Sequence, residues 1–422
     1  MSALDARAAA ILRANDLGGY TVPTKGLYPF QWNWDSCLVA LGWAQLDEAR
    51  AFQEIETLFS AQWPDGMVPQ IVFHRPDPGY FPGPERWGTG RTPPTSGITQ
   101  PPVAASCLRR IVEGAADQAQ AEARGRALFP KVLASHRWFH TVRDPDDSGL
   151  VTTLHPWETG MDNSPAWDEA LARVEIAPDL EPYVRKDTTH VEPSMRPTAA
   201  EYDRFMTLVQ LYRQHGWRHE IATLSPFRVA DVATNCILLR ADRDLLALAE
   251  RFGETGAAAE LRDWIRRAEG AFGVFVDPMT GLWHSYDRVV GARTPTATHA
   301  GFLAFWAGLG DARLAAALAP WQAGGGRFAL ASVRPADPRF DGRRYWRGPV
   351  WLIANFLIAE GLREQGYGDA AAGIAADSRR LVESAGFFEY FDPLDGAGLG
   401  GASFTWTAAM WLAWARFAHA AG

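Results

Sequence analysis

The sequence predicts an all-α protein that folds as an (α/α)6 barrel, a closed ring of six helical hairpins. Long stretches carry apolar residues at positions i, i+3, i+4 and i+7, the period of an amphipathic helix. Segment 231–241 is apolar nearly all round, whereas its neighbour 257–267 is apolar on one side only. Buried and amphipathic helices thus alternate. Polar-aromatic segments recur roughly every 50 to 70 residues, the length of a helical hairpin with its loops.

The helical period predicts about thirteen helices where the barrel needs twelve, so one helix is an addition or a boundary is misplaced. The first is an amphipathic helix near the N-terminus. The others are predicted at 36–46, 48–63, 97–112, 119–139 (interrupted by Pro130), 198–215, 229–252, 257–271, 299–308, 312–321, 349–365, 369–384 and 405–420.

The inner helices are predicted to begin directly after the polar-aromatic segments. In a ring of hairpins these starts gather at one end, where their loops build one pocket. The segments are QWNWDS, TSGITQPP, RPTAAEYDR, FRVADVATN, YWRGPVW and SFTWTAA.

Residues 1–422 are expected to form one catalytic domain with a few short β-hairpins in its loops. Strand signals follow turns at 149–154 and 281–286, and the stretch 391–400 resembles them. The aspartates of 144–147 favour a tight turn over a calcium loop, because the terminal Glu of an EF-hand is missing. Long loop insertions are predicted at about 64–97, 143–197 and 322–348, the last as a loop or lid over the pocket.

Composition excludes several classes of protein. The chain is 47% hydrophobic and 21% charged, so it can bury a large core. No run of 18 apolar residues or signal peptide is apparent, and three distant cysteines fit a reducing cytoplasm. A formal charge of −8 disfavours nucleic acid as a partner. We expect a cytoplasmic enzyme without metal or cofactor, monomeric or a small homo-oligomer, that acts on a small molecule.

Aromatic residues are abundant and often have polar neighbours. The chain has 18 Trp and 22 Phe, and several Trp lie beside Asp, Asn, Gln, Gly or Pro. Such clusters indicate a surface that binds a ligand with flat apolar faces, although each single Trp is about as well explained as core.

Carboxylates are the best candidates for chemistry. The sequence has no P-loop, GxSxG or HExxH motif, and each lone His is more simply explained as structural. Glycoside hydrolysis needs two carboxyl groups on opposite sides of the scissile bond, one of them with a pKa raised by burial. Asp162 in ETGMDNSPAW and Glu389 in GFFEYFDP lie among aromatic residues and meet this demand.

Asp35 in QWNWDS is a third candidate. It is expected to cap helix 36–46, a common role for Asp before a helix, and it can also bind sugar hydroxyls. Amide side chains hold a sugar by hydrogen bonds, and aromatic rings cover its C–H face. Residues of these types are Trp32, Trp34, Gln100, Tyr345, Trp346 and Trp351.

Seven segments, spread over about residues 28 to 409, together resemble glycoside hydrolase family 63, and in particular its small members that act on mannosylglycerate or glucosylglycerate. In order they are YPFQWNWDS, DGMVPQIVF, TSGITQPP, HPWETGMDNSPAWD, RPTAAEYDRF, RYWRGPVWLIANFL and GFFEYFDP with FTWTAA.

The resemblance implies an inverting α-glycosidase that needs no cofactor. Asp162 matches the family's general acid and Glu389 its general base. Asp35 and the six residues named with it match positions that hold the sugar. Tyr80, Arg196 and Tyr202 match positions used for the glycerate, and an Arg could grip a carboxylate in a bidentate fork.

Two other functions are compatible with the same barrel. A sugar epimerase would use His as acid and base, and His155, His190, His284 or His299 would then face each other across the pocket. A non-catalytic carbohydrate-binding protein would lack paired acids on opposite walls.

Overall fold

The computed structural model describes residues 2–323 and 328–418, and only the backbone at 322 and 323. In these ranges the chain forms seventeen α-helices and seven short strands. The helices are α1 (Ala3–Asn15), α2 (Asn33–Trp43), α3 (Glu48–Ser60), α4 (Pro84–Trp87), α5 (Ala104–Gly114), α6 (Gln118–Trp138), α7 (Asp168–Ala172), α8 (Ala199–Gln214), α9 (Ile221–Leu224), α10 (Val232–Phe252), α11 (Thr255–Ala271), α12 (Leu303–Trp306), α13 (Ala312–Ala316), α14 (Ala319–Ala323), α15 (Leu352–Glu364), α16 (Gly368–Ala385) and α17 (Thr405–Ala413).

Six helices form the inner ring of an (α/α)6 barrel, as the sequence predicts. In order around the ring, each packing on the next, they are α2, α5, α10, α12, α15 and α17, and α17 packs against α2 to close it. The outer helices α3, α6, α11 and α16 each cover the inner helix that precedes them in the chain, and α1 covers α17. After α12, the short α13 and α14 follow, and Trp321 of α14 packs edge-on against Phe302.

Glycines allow the inner helices to approach closely. A Cβ on Gly42 of α2 would lie 2.6 Å from the Cα of Ala409 in α17. A Cβ on Gly361 of α15 would lie 2.2 Å from the backbone nitrogen of Trp306 in α12. Both contacts are between backbones, so a side chain at either glycine would push two ring helices apart.

One predicted inner helix lies outside the ring. α8, which begins within RPTAAEYDR, packs on loops: the carbonyl of its Phe205 accepts a hydrogen bond from His155 Nε2 at 3.0 Å, and its Tyr202 ring lies 5.8 Å from that of Trp157. The sixth inner position belongs instead to α12, preceded by a 3-10 turn at His299–Phe302. Helical periodicity reports that a face is buried, not which partner covers it.

Several predicted boundaries shift. α2 begins at Asn33, so Asp35 lies within its first turn and Trp32 is the N-cap residue. α5 begins at Ala104, because the stretch before it contains Pro101 and Pro102 and runs outside the helix. α6 continues through Pro130 without interruption. The last helix ends at Ala413, and the final two positions predicted for it lie outside the described residues.

The strands form small antiparallel sheets in the loops. They are β1 (Gln31–Trp32), β2 (Ile71–Val72), β3 (Val229–Ala230), β4 (Tyr286–Asp287), β5 (Ala292–Arg293), β6 (Phe388–Phe391) and β7 (Gly398–Ala402). β1 pairs with β2, β4 lies between β3 and β5, and β6 pairs with β7. The stretch 391–400 contains the turn of the β6–β7 hairpin, at 392–397, and the first residues of β7, as its composition indicates. By contrast, 149–154 contributes only a single bridge, from Thr153 to Val229.

The Asp-rich segment 144–147 closes a turn. The carboxylate of Asp144 accepts hydrogen bonds from Ser148 Oγ at 2.6 Å and from the Gly149 amide at 2.7 Å. Asp147 is ion-paired with Arg267. The predicted turn is therefore present. Of the helices described, none is long and apolar enough to cross a membrane.

Candidate active site

The loops before the inner helices enclose a cavity of about 900 Å³, its open mouth included. Trp34 and Asp35 come from the first turn of α2, Gln100 precedes α5, and Trp406 begins α17. Five of the six polar-aromatic segments contribute residues to this cavity, as predicted, and FRVADVATN does not. Ten of the twelve predicted site residues line this cavity: Trp32, Trp34, Asp35, Tyr80, Gln100, Asp162, Arg196, Tyr202, Tyr345 and Glu389.

Glu389 lies on β6 and is almost completely buried, with 1% of its surface exposed. Its Oε2 accepts a hydrogen bond from the Gly401 amide at 3.0 Å, and its Oε1 accepts one from the Tyr28 hydroxyl at 3.1 Å. The neighbouring strand passes so close that a Cβ on Gly400 would lie 2.4 Å from Oε2. Burial raises the pKa of Glu389, while Arg196 and the two donors favour its charged form.

Asp162 follows a 3-10 turn, Pro156–Thr159, which ends at Gly160 with φ +71°. A Cβ at Gly160 would lie 2.6 Å from Trp34 Cζ2, so only glycine allows this turn to pack against the Trp34 ring. Burial raises the pKa of Asp162 to about 7, and the charge of Arg196 opposes this shift. A carboxyl that is partly protonated near neutral pH can serve as a general acid.

Asp35 is the third carboxyl of the cavity. Burial, reinforced by the charge of Glu389, raises its pKa to about 8, and Asp162 contributes in the same direction. Asp35 lies inside the first turn of α2, so it does not cap this helix as the sequence predicted. Its carboxyl instead faces the space that the other two acids share.

Arg196 is the buried cation of the site. Its Nη2 donates to the Tyr28 hydroxyl at 2.6 Å, its Nε donates to Asp187 Oδ2 at 3.3 Å, and its Nη1 lies 3.9 Å from Glu389 Oε1. The guanidinium also lies over the Tyr345 ring, 4.4 Å from its centroid. Arg196 therefore links the segment before α8 to the carboxyl on β6.

Aromatic rings and amides form the remaining wall. The Trp34 ring contacts that of Trp406 edge-on at 6.1 Å, and Tyr80 lies edge-on to Trp32 at 5.6 Å. Gln100 Oε1 accepts a hydrogen bond from the Trp34 amide at 3.3 Å. This bond fixes the Gln100 side chain, so its NH2 group points away from that amide. Flat rings beside amide and carboxyl groups suit a polyhydroxylated ligand.

Two predicted sugar-binding residues do not line the cavity. Trp346 and Trp351 stack on each other, with centroids 3.7 Å apart, and each is 1% exposed. The Trp351 indole donates to the Tyr345 carbonyl at 3.3 Å, and the Trp346 ring lies 6.3 Å from that of Trp34, which lines the cavity. Both rings therefore support the wall from behind residues such as Tyr345, which lines the cavity and lies edge-on to Trp351 at 5.3 Å.

The histidines are placed apart. Of the four considered for an epimerase, only the exposed His190 lines the cavity. His155 Nε2 bonds the Phe205 carbonyl, His284 Nδ1 the Thr294 carbonyl and His299 Nδ1 the Ser332 carbonyl. Since Glu389 is in the cavity and these side chains are not, the site lacks facing His residues within the described ranges. Glu158, the other acid of its segment, is buried in an ion pair with Arg143.

Sequence reasoning missed part of the cavity lining. Eight of the missed residues stand in segments that carry the family resemblance, so their position was a usable signal: Tyr28, Gln70, Ile71, Trp157, Gly160, Pro197, Phe404 and Trp406. No pattern in the sequence marks Lys186 or Asp187, which also line the cavity. No group of three or more His, Cys, Asp or Glu side chains among the described residues is arranged to hold a metal ion.

A ring of paired helices with buried carboxyl groups in an aromatic cavity is the architecture of the barrel glycoside hydrolases. Residues 28–407 match the family model described as the mannosylglycerate hydrolase MGH1-like glycoside hydrolase domain, and the chain belongs to this family. The protein is a glycoside hydrolase, as the sequence predicted.

Similar proteins cover the chain almost completely. It is 54% identical over 414 residues to mannosylglycerate hydrolase MGH1 of Selaginella moellendorffii, covering 96% of this chain and 84% of that one. A crystal structure of the GH63 mannosylglycerate hydrolase of Thermus thermophilus, in complex with Tris and D-glycerate, has a TM-score of 0.94 at 46% identity, over 98% and 100% of the two chains. A glucosylglycerate hydrolase of Mycolicibacterium hassiacum is 36% identical over 97% of each chain.

Proposed function

We propose that this enzyme hydrolyses an α-linked hexoside of glycerate, mannosylglycerate or glucosylglycerate, with inversion at the anomeric carbon. The observation that carries the proposal is the meeting of Asp162 and Glu389 in one aromatic cavity that also contains Arg196. Relatives named for both substrates support it, as does the D-glycerate bound to the solved relative. The (α/α)6 ring with its loops would act as one catalytic domain.

Asp162 would be the general acid and Glu389 the general base. The Asp162 carboxyl gives its proton to the glycosidic oxygen as the bond from that oxygen to the anomeric carbon breaks. Glu389 takes a proton from a water whose oxygen forms the new bond on the opposite face. One water is consumed, and free hexose and glycerate leave. For this water to fit, the two carboxyl groups should stand roughly 6.5–9.5 Å apart.

The surroundings of the two acids suit these opposite roles. Asp162 has a pKa of about 7, so a large fraction is protonated in neutral solution. Glu389 accepts hydrogen bonds from Tyr28 and Gly401, which favour its charged form. Asp35 and Gln100 would bind hydroxyls of the hexose, and Trp32 and Trp34 would cover its C–H faces. Arg196, Tyr80 and Tyr202 would bind the glycerate.

A substrate screen tests the reaction. We expect release of hexose from mannosylglycerate or glucosylglycerate at a kcat/KM at least 100-fold above that for neutral methyl α-hexosides. NMR should detect the β-anomer of the hexose first. Equal rates on the neutral glycosides would reject glycerate as the aglycone, and the α-anomer as first product would reject inversion.

Two isosteric substitutions separate the acid from the base. Asp162→Asn and Glu389→Gln should each lower kcat on the glycerate substrate by at least 10³-fold while the thermal melting of the protein is retained. An α-hexosyl fluoride has a leaving group that needs no proton. Asp162→Asn should therefore keep activity on the fluoride, whereas Glu389→Gln should lose it. If both variants lost activity equally on the glycerate substrate and on the fluoride, the assignment of acid and base would be contradicted. Asp179→Asn, an exposed site outside the cavity, is the matched control.

A further inference from the structure

We propose that Asp187 is a positioning residue that holds the Arg196 guanidinium away from Glu389, an inference that rests on the function proposed above. Asp187 lines the cavity, but no sequence pattern marks it. It stands nine residues before Arg196, in a separate 3-10 turn, Asp187–Thr189. The argument depends on how the three nitrogens of Arg196 are occupied.

Two contacts fix the plane of the Arg196 guanidinium. Its Nε donates to Asp187 Oδ2 at 3.3 Å, and its Nη2 donates to the Tyr28 hydroxyl at 2.6 Å. Its Nη1 has no acceptor within the part of the chain that the structure describes, and it lies 3.9 Å from Glu389 Oε1. That separation is too long for a hydrogen bond. The guanidinium is thus at the outer limit of an ion pair with the proposed base and makes no hydrogen bond to it.

Asp187 is itself held firmly. Arg185 donates to it through both Nε at 3.0 Å and Nη2 at 2.6 Å, a fork that fixes the plane of the carboxylate. Arg185 also donates to the Pro197 carbonyl at 2.6 Å and lies over the Tyr202 ring at 4.3 Å. Although burial opposes its charge, the two arginines together lower the pKa of Asp187. A fixed carboxylate that stays charged is a suitable anchor.

Charge explains why such an anchor is needed. The described lining contains four carboxyl groups, of Asp35, Asp162, Asp187 and Glu389, but only Arg196 is a fully buried cation. Apart from Asp187, Glu389 is the only described carboxylate within 4.0 Å of an Arg196 nitrogen. A closed Arg196–Glu389 pair would occupy the lone pair that must take a proton from water, and it would withdraw the guanidinium from the aglycone. Asp187 therefore competes with the base for Arg196.

A double-mutant cycle tests whether Asp187 acts through Arg196. We expect Asp187→Asn to lower kcat/KM on the hexosyl glycerate at least tenfold in the wild-type background. In the Arg196→Met background the same change should cost less than threefold, because the group that Asp187 positions is gone. Asp179→Asn removes an exposed carboxylate outside the cavity and should cost less than threefold in both. Equal losses for Asp187→Asn in the two backgrounds would overturn the proposal.

A second readout needs no activity. The Nε–H proton of Arg196, assigned in NMR spectra by its loss in Arg196→Met, should exchange slowly with water in the wild type. Asp187→Asn should speed this exchange at least tenfold, and Asp179→Asn should not. Arg185→Lys, which removes the fork and leaves Asp187 in place, should also speed it. Unchanged exchange in the folded variants would refute the positioning role. If the wild-type enzyme hydrolysed no hexosyl glycerate, the proposed function would be rejected, but the exchange measurement would still test the position of Arg196.

Discussion

The Tyr28 hydroxyl donates a hydrogen bond to Glu389 Oε1 at 3.1 Å and accepts one from Arg196 Nη2 at 2.6 Å. One phenol thus connects the only fully buried cation of the described cavity to the carboxylate on β6. Tyr28 and Glu389 are 361 residues apart in the chain. Burial raises the pKa of Tyr28 well above its ordinary value, so the hydroxyl keeps its proton and acts as a donor.

Removal of this hydroxyl should impair catalysis. A hydrogen bond to a charged group is worth about 1.5–3 kcal/mol, so we expect Tyr28→Phe to lower kcat about 10- to 100-fold. Steady-state kinetics on the hexosyl glycerate measure the effect. Tyr367→Phe alters a half-buried ring that packs against Phe305 away from the cavity, and it should leave kcat unchanged. A Tyr28→Phe enzyme within twofold of the wild type would contradict the role of this contact.

The protonation of Asp162 should set the alkaline limit of activity. Its pKa is about 7, raised mainly by burial, and in its proposed role as general acid it must carry a proton. We therefore expect kcat/KM to fall as pH rises through about 7, by about tenfold per pH unit well above it. With an α-hexosyl fluoride, which needs no acid, this decline should disappear. If the alkaline decline were the same for both substrates, a group other than Asp162 would be its cause.

The same profile should have an acid limb. Glu389 must be ionised to act as a base, and burial raises its pKa above the ordinary value of 4.5. Activity on both substrates should therefore fall with decreasing pH before the pH reaches 4.5. If activity fell only below pH 4.5, the raised pKa of Glu389 would be contradicted.

Gly160 should be required for the shape of the cavity wall. Its φ of +71° costs a residue with a side chain about 1–2 kcal/mol, and the new Cβ would also lie 2.6 Å from Trp34 Cζ2. Gly253 has a φ of +77° with open space around it, so Gly253→Ala isolates the backbone cost. Both variants should lower the free energy of unfolding in denaturant titrations. Only Gly160→Ala should also lower kcat/KM, by at least tenfold, and equal kinetics would refute the steric argument.

Glu158 should matter for stability and not for catalysis. It is 1% exposed, paired with Arg143, and accepts a hydrogen bond from the Leu154 amide at 2.7 Å. Glu158→Gln leaves a buried guanidinium without its counter-charge, which typically costs about 3–5 kcal/mol of unfolding free energy. Glu383→Gln breaks the exposed pair with Arg379 and should cost far less. Below its melting temperature, the Glu158→Gln enzyme should keep kcat within threefold, and a larger loss would place Glu158 in the mechanism.

The ring of helices was predictable because each helix carries its own signal. The apolar period of a helix is local, and the segments that precede inner helices repeat. The prediction of α8 as an inner helix was wrong for a physical reason. Its buried face packs on Trp157 and other loop residues, and no local sequence pattern distinguishes such packing from packing on a helix of the ring. The real sixth inner helix, α12, has only four helical residues and gives a weak period.

The site was predictable where chemistry and motif coincide. Asp162, Glu389 and Arg196 lie in segments that resemble a known family, and all three line the cavity. Trp346 and Trp351 lie in such a segment too, yet they stack behind the wall. Which ring of a Trp-rich segment faces the cavity depends on how the rings pack against each other in the folded chain, and the residue types do not reveal it.

The sequence by itself determined the helical ring, the end at which its loops gather and the residue types that can hydrolyse a glycoside, because helical period and motif are properties of short stretches. Tertiary structure alone decided how the charges are paired. The contacts of Arg196 with Asp187, Tyr28 and Glu389 join four separate segments, and burial at their meeting point sets the pKa values. Such pairings depend on distances across the barrel, and these exist only once the ring has closed.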